Sequence, residues 1–441
     1  MYQYKYLKFV RFKDCVQWDL KRYFNQTIHS KFKISNLGDQ IVEEKEKFDI
    51  SDPKINYRIL GVNNQTGIFD AYIENGSRIN QKYKKMEVGW IAYNPYRVNI
   101  GSIGIKQECH QYDYISPAYV VFSCKQALSP KFLFLTLKTP SYNKVIRDNT
   151  TGSVRQNLSF QVLRALPIPL PTLTEQQVLV DAYDATIKAA EEKEHKAEQL
   201  NKDIENYLQS ELGIKEKQRQ TVKGSSYLNF VRFKDINRWD CHNNANKISS
   251  NFNIVRLGKL ITSMATGTTP PTSNKKYFDG NVKFYTPADI SDELYLTESE
   301  RYISDFAIKD NKARIFHKGD LLFVGIGSTV GKVGVVFDEK VSSNQQITGF
   351  SVNPSLATPE YVCYYMCYNK HITTAEQTKS TLPIVNQEKI GNIPIPVPPI
   401  VIQNAIVAHI SELKEQIQQF KQMAKELREE ALRDFEKEIF G

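Results

Sequence analysis

The chain has 441 residues, 41% hydrophobic and 24% charged, with a formal net charge of +9. That length accommodates about two to four domains, and the apolar fraction is ample for packed cores, which excludes a disordered chain. There is no run of eighteen apolar residues, and the opening MYQYKYLKFVRFKD is basic and aromatic throughout, so a soluble cytoplasmic protein without membrane span or secretion signal is expected.

In chain order, the first signal is Tyr6-Leu7-Lys8-Phe9-Val10-Arg11-Phe12-Lys13-Asp14, followed by Trp18-Asp19. It returns at Tyr227-Leu228-Asn229-Phe230-Val231-Arg232-Phe233-Lys234-Asp235 and Trp239-Asp240, a shift of 221 from Tyr6 to Tyr227. Phe32-Lys33-Ile34 with Leu37-Gly38 recurs as Phe252-Asn253-Ile254 with Leu257-Gly258 at a shift of 220. A long middle follows each leader, built of short Val, Ile, Tyr and Phe runs broken by Gly, Asn and Pro, which predicts β-rich domains with functional loops. The middles differ in sequence but share a skeleton. Val88-Gly89-Trp90-Ile91 matches Lys318-Gly319-Asp320-Leu321, and Gly104-Ile105 matches Gly334-Val335. Each middle ends in a short helical pattern, at residues 130–137 and 359–368.

A proline ladder comes next, Pro167, Pro169 and Pro171 in the first half and Pro394, Pro396 and Pro398 in the second, now shifted by 227. Each proline lacks an amide donor and biases its predecessor away from the α region, so the ladders are expected to be extended. A helix free of Gly and Pro follows each, expected to run for about 38 residues or roughly 57 Å. Apolar or small residues step along the first by four and three: Leu179, Tyr183, Thr186, Ala190, Ala197, Leu200, Ile204 and Tyr207 or Leu208. The same shift of 227 lands on Ile406, Ile410, Leu413, Ile417, Ala424, Leu427, Ala431 and Asp434 or Phe435. Seams in identical register predict an antiparallel intramolecular coiled coil with a pseudo-twofold axis. Residues 213–226, polar and ending in Gly-Ser-Ser, read as a linker.

The expected class is therefore α+β, a tandem duplication of a β-rich domain plus a long helix. The expected divisions are 1–173 (ladder at 167–171), helix 174–212, linker 213–226, second domain 227–399 (ladder at 394–399) and helix 400–441.

Several motifs were weighed for chemistry and fail. Gly325–Gly334 reads GIGSTVGKVG, but a phosphate loop needs Gly where Ile326 stands and a hydroxyl where Val333 stands. Dinucleotide spacing fails because Gly331 comes one residue late, so the segment reads as strand–turn–strand. Tyr93-Asn94-Pro95-Tyr96 lacks the second proline of the amino-methyltransferase motif and reads as a loop. The run Val42-Glu43-Glu44-Lys45-Glu46-Lys47 reads as a solvated face. The seven histidines form no evident metal or acid–base set, and no metal site or catalytic residue is assigned. The six cysteines contain no CxxC pair, Cys363 and Cys367 reading as one helix face in a core of a reduced protein.

The remaining polar loops suit DNA, because Asn and Gln pair with adenine edges, Arg with guanine, and Ser, Thr and Lys with phosphates. The candidates in the first domain are Arg58, Asn63, Asn64, Gln65, Asn94, Arg97, Ser153, Arg155 and Gln156. Those in the second are Thr269, Thr272, Asn274, Lys275, Lys276, Ser343, Asn344, Gln345, Lys379, Ser380 and Thr381.

Several stretches together resemble the specificity subunit of type I restriction–modification enzymes, over essentially the whole chain. GTTPPTSNKKYFDGNVKFYTPADI, GDLLFVGIGSTVGKVGVV and SSNQQI resemble one type of target-recognition domain; RILGVNNQTGIFD, YNPYRVNIGSIGI, SPAYVVF and GSVRQNLSF resemble another. The ladder and helix resemble the family's repeated central and C-terminal regions. The resemblance implies that each domain reads half of a bipartite double-stranded DNA site and that the coiled coil acts as a ruler for the spacer. It implies no catalysis and no cofactor in this chain, and assembly with two methyltransferase subunits and with translocase/endonuclease subunits. S-adenosylmethionine, ATP and Mg would belong to those partners. A related methyltransferase–nuclease system using the same two-domain reader, and an autonomous enzyme, are the competing readings.

Overall fold

The computed structural model describes residues 28–150, 157–216, 248–375 and 383–441. The leader repeats at Tyr6–Asp19 and at 227–240 lie outside the described residues. Four helices carry the frame: α1 (Pro130–Lys138), α2 (Leu173–Leu212), α3 (Pro359–Tyr368) and α4 (Ile400–Phe440). The two long ones, of 40 and 41 residues, begin where the ladders end. Among the described residues no helix is long and apolar enough to cross a membrane. The chain forms two compact units, Met1–Glu194 with Lys421–Gly441, and His195–Phe420. Each unit thus takes the start of one long helix or its end together with the complementary part of the other.

In the first unit, the strands β1 (Ile34–Asn36), β2 (Ile41–Glu43), β3 (Asn56–Val62), β4 (Ile68–Asn75) and β5 (Lys84–Lys85) come first. They are followed by β6 (Ile91–Tyr93), β7 (Ile103–Ile105), β8 (Tyr114–Ile115), β9 (Val120–Cys124) and β10 (Pro167–Pro169). Two four-stranded sheets result among the described residues, ordered β2-β9-β6-β7 and β4-β3-β8-β5, with β3 and β8 parallel. The ladder strand β10 pairs antiparallel with β1, matching Ile34 to Pro169. One core gathers Ile91, Tyr93, Phe122, Phe132, Leu133, Val162 and Ile168 with Val180 of α2 and with Phe435 and Ile439 of α4. The helix segments run antiparallel: Tyr183 meets Phe435 edge-on at 6.1 Å, and Arg428 grips Glu194 with two bonds of 3.1 and 2.8 Å. Ser30 Oγ closes the last turn of α4 by donating to Ile439 O at 2.5 Å.

The second unit starts with β11 (Lys215–Glu216), β12 (Ile248–Ser249), β13 (Ile254–Arg256), β14 (Ile261–Thr266), β15 (Val282–Tyr285), β16 (Tyr295–Leu296) and β17 (Arg301–Ile303). It continues with β18 (Ile315–Phe316), β19 (Leu321–Val324), β20 (Val333–Val336), β21 (Val341–Ser343), β22 (Ile347–Val352) and the ladder strand β23 (Pro394–Pro396). Its sheets are ordered β14-β22-β19-β20-β16 and β17-β15-β21-β18, with β15 parallel to β21, as β3 is to β8. The ladder again pairs with the leader strand, β23 with β13. Ala197, Ile204, Leu208 and Leu212 of α2 share a core with Ile406, Ile410 and Ile417 of α4. Tyr207 lies on His409, ring centroids 4.3 Å apart, and Ser250 Oγ donates to Leu212 O at 2.5 Å. The first residues of the expected linker are ordered into β11, which pairs with β12.

One helix position departs from the expected seam, and the two open pairs are resolved. Val180 rather than Leu179 is the more buried residue, because the start of α2 packs on the first unit's own core as well as on α4. Of the paired options, Leu208 and Phe435 are buried, whereas Tyr207 is half-buried and Asp434 exposed.

The repeated frame rests on matching bonds. Gln176 is fully buried; its Nε2 donates to Ala127 O (3.0 Å) and Pro171 O (2.9 Å), and its Oε1 accepts from Ser129 N (2.7 Å). Gln403 does the same with Leu356 O (2.9 Å), Pro398 O (2.8 Å) and Thr358 N (2.9 Å). Ser129 and Thr358 are the N-caps of α1 and α3, so one glutamine ties ladder, long helix and short helix in each half. Gly89 and Gly319, the matched pair of the skeleton, both sit at φ +86, the left-handed region that favours glycine. Buried amide groups stripped of partners cost about 1–3 kcal/mol. Gln403→Ala should therefore lower unfolding free energy by about 1–3 kcal/mol in urea titrations, while the exposed Gln177→Ala stays within about 0.5 kcal/mol. Equal midpoints for the two variants would show that the clamp does not hold the junction.

Candidate nucleic-acid interface

In the first unit, two loops carry most of the expected residues. Asn63, Asn64 and Gln65 form the tip between β3 and β4, while Asn94 and Arg97 lie between β6 and β7. The fold brings these loops together. Ser102 Oγ donates to Val62 O at 3.2 Å, and Gly67, at φ +75, lets its backbone approach Gly104 so closely that an added Cβ would stand 3.1 Å from Gly104 Cα. Lys138 Nζ reaches from α1 to Gly101 O at 2.9 Å, and burial lowers its pKa. Tyr93 Oη donates to Leu158 O (3.1 Å) and Leu158 N to Pro95 O (3.0 Å), so the chain returns to this same loop just after Ser153, Arg155 and Gln156. Those three candidates lie outside the described residues.

The roles within this cluster divide. Asn63 Oδ1 accepts from Gln65 N (2.9 Å), Thr66 N (2.7 Å) and Thr66 Oγ1 (3.0 Å), so this side chain builds the turn. Asn94 Oδ1 likewise accepts from Tyr96 N at 3.0 Å. Asn64, Gln65 and Arg97 are exposed, as is Arg58 on β3, whose guanidinium lies 6.0 Å from the ring centre of Tyr112. Exposed Tyr96 and Ile100 stand beside Arg97, and the sequence reading passed over Ile100 because a lone isoleucine carries no loop signal.

In the second unit one of the candidates, Gln345, lines a cleft of about 320 Å³. Thr266, Ile326, Gln345, Gln346, Gln387 and Glu388 stand on its walls. The segment GIGSTVGKVG forms the expected turn between β19 and β20, with Gly327 at φ +113 and Gly331 at φ +93. An antiparallel bridge of Ile326 to Ile384 brings in the chain that follows Lys379, Ser380 and Thr381, which lie outside the described residues. Thr269 Oγ1 donates to Gln345 Oε1 at 2.5 Å, and Thr268 Oγ1 accepts from Arg314 N at 2.9 Å, so the Thr-rich loop is tied to the cleft rim. Thr272, Lys275 and Lys276 are exposed on that loop, and Asn274 caps its short helix by accepting from Lys276 N at 3.2 Å.

One candidate is corrected. Ser343 is fully buried on β21, under Gly267, where it cannot meet a ligand. It occupies an inward position of a strand, which its polar neighbours concealed. Asn344 is half-buried and spends its side chain on Gln346, accepting from the Gln346 amide (3.0 Å) and donating to Gln346 Oε1 (3.0 Å). Sequence reading missed Gln387 and Arg314; both reach the site through contacts distant in sequence.

Residues 31–202 and 249–429 match the model of the type I restriction modification DNA specificity domain. The specificity subunit of the type I restriction enzyme MjaIX from Methanocaldococcus jannaschii is 28% identical over 197 residues, 43% of this chain and 44% of that one. The EcoBI specificity subunit from Escherichia coli is 20% identical over 281 residues, covering 62% of this chain and 57% of the relative. The chain therefore spans about half the length of the curated relatives it matches. A solved structure, from work on complex assembly and conformational transition of the type I R-M system, aligns with a TM-score of 0.56 at 17% identity, over 93% of this chain and 97% of that one. The likeness shows a shared fold.

The turn-forming and free asparagines of the first cluster separate by stability. Asn63→Ala should cost about 1 kcal/mol in thermal or urea unfolding, and Asn64→Ala should stay within about 0.5 kcal/mol. Equal costs would contradict the division.

Proposed function

We propose, from the premise that this chain belongs to the type I restriction–modification DNA specificity family, that it is a DNA sequence-specificity subunit in which each unit reads one half of a bipartite double-stranded site. One observation carries the reading: identical frames present unlike loops. The Gln176 and Gln403 clamps, the Gly89 and Gly319 turns and the ladder pairings recur bond for bond. By contrast the matching loops differ: β6 and β7 are joined by residues 94–102, with a short helical turn at Val98–Ile100, and β19 and β20 by the glycine-rich residues 325–332. A frame held fixed while its loops change suits reading two different targets.

The chain supplies recognition and no chemistry in this reading. Methyl transfer falls to two S-adenosylmethionine-dependent adenine methyltransferase subunits, and cleavage to translocase/endonuclease subunits that use ATP and Mg, all in the cytoplasm. The long helices run continuously from one unit into the other, which supports a role in fixing the spacer between half-sites. One heptad adds roughly 10 Å, about three base pairs of B-DNA.

Two outcomes are expected. Deleting one heptad within 182–208 together with its repeat within 409–435 should shorten the spacer of the methylated motif and leave both half-sites intact, as mapped by sequencing methylated genomic DNA. An unchanged spacer would remove the ruler from the proposal. The double variant Lys275→Ala/Lys276→Ala should weaken binding to all duplexes alike and reduce the slope of log K against log salt by about 2 in anisotropy titrations. A change confined to one base of the motif would instead assign these lysines to base reading.

A further inference from the structure

The cleft in the second unit has a polarity that its hydrogen bonds fix. Gln345 Oε1 is held by Thr269 Oγ1 (2.5 Å) and Gln346 Oε1 by Asn344 Nδ2 (3.0 Å). Each glutamine has its carbonyl end tied back, and no described residue accepts from either Nε2. Gly327 leaves the space beside one of these amides open, since a Cβ there would lie 3.6 Å from Gln346 Nε2. Gln387 is tied the other way round. Its Nε2 donates to Thr266 Oγ1 at 2.9 Å, and Thr266 is in turn 3.3 Å from Thr348 Oγ1, which leaves the Gln387 carbonyl as the available end. The three glutamines thus offer two N–H donor groups and one acceptor, and Asn386, whose Oδ1 accepts from Lys389 N at 3.0 Å, lines the cleft beside them.

The charges narrow the ligand. No lysine or arginine lines the cleft among the described residues, and most of its polar groups are neutral amides and hydroxyls. A phosphate finds no described cation there, whereas neutral amides suit a base edge. In the major groove, a G·C pair shows two acceptors on guanine, N7 and O6, then one donor on cytosine, N4. An A·T pair shows N7, then the N6 donor, then O4 and a methyl, so its second group would meet an N–H with an N–H. Resting on the two-reader function above, we propose that this cleft reads one G·C pair of the second unit's half-site, Gln345 and Gln346 donating to guanine and Gln387 accepting from cytosine.

The test uses the full chain in complex with its methyltransferase partner and maps methylated sites genome-wide for wild type, Gln345→Ala and Gln346→Glu. The second variant keeps the oxygen that Asn344 bonds and turns the donor into an acceptor. The half-site belonging to the second unit is identified by exchanging residues 248–393 for those of another chain. Each variant is expected to lower the preference for G·C at one position of that half-site by about tenfold or more, with the other half-site unchanged. A duplex carrying 7-deazaguanine at that position, which lacks the N7 acceptor, should bind wild type about tenfold more weakly and Gln346→Glu no more weakly than the guanine duplex. Unaltered preference throughout that half-site, or a loss at an A·T pair, overturns the G·C assignment and leaves bipartite reading standing. A wild type that methylates no split motif would overturn bipartite reading itself.

Discussion

A proline ladder provides carbonyl oxygens without the matching amide donors, and the two units depend on how those oxygens are used. One edge of each ladder pairs with the leader strand, β10 with β1 and β23 with β13. The remaining acceptors draw donors from two directions. Tyr142 Oη reaches Pro167 O, and in the second unit Tyr361 and Tyr365 reach Pro396 O and Pro394 O. The buried glutamines Gln176 and Gln403 take Pro171 O and Pro398 O. A buried polar group without a partner is costly, so these side chains have little freedom to change. The ladder thereby fixes where each long helix starts relative to its domain, and the position of every loop follows.

The duplication also explains a division of labour along the helices. Ala190, Ala197 and Ile204 recur as Ile417, Ala424 and Ala431, one heptad apart, and all six are buried. Four of the six are alanines, so much of the buried seam here is small side chains. The bulky anchors lie toward the ends: Phe435 packs on Phe132 and Tyr183 in the first unit, and Ile406 and Ile410 join Leu208 and Leu212 in the second. Each domain is consequently completed by a helix end from the other repeat, capped by Ser30 in one unit and Ser250 in the other. A single repeat would leave both an apolar core face and a carbonyl terminus uncovered.

Those features were legible in the sequence because they are periodic or steric. Proline excludes alternatives at its own position, and a seven-residue repeat of apolar residues admits one helical face. The GIGSTVGKVG turn was legible for the same reason, since its glycines reject the phosphate-loop spacing and supply the left-handed positions found at Gly327 and Gly331. The site was only half legible. Loop composition marked Gln345 and the lysines at 275 and 276, but the same composition surrounds Ser343, which the pleat of β21 turns inward. Gln387 enters through the Ile326 to Ile384 bridge, and no local pattern encodes a contact made between such distant segments. Hydrogen-bond direction was also out of reach. Whether a glutamine offers its nitrogen or its oxygen depends on which end a neighbour such as Thr269 or Thr266 has taken.

That last dependence bears on how affinity and specificity are separated in the second unit. Contacts to phosphates position a protein on DNA and carry no sequence information, whereas contacts to base edges carry it. The cations lie outside the cleft lining: Lys275 and Lys276 are exposed on the Thr-rich loop, and exposed Arg314 holds that loop through its backbone amide. The walls carry the amides of Gln345, Gln346 and Gln387, each held by a hydroxyl or amide neighbour. Locking matters because a freely rotating glutamine can present either end and so accepts either kind of edge. Asn344, its oxygen already taken by the Gln346 backbone amide, can only donate to Gln346 Oε1 and so fixes which end of Gln346 stays available, while the hydroxyls of Thr269 and Thr266 hold Gln345 and Gln387 in place.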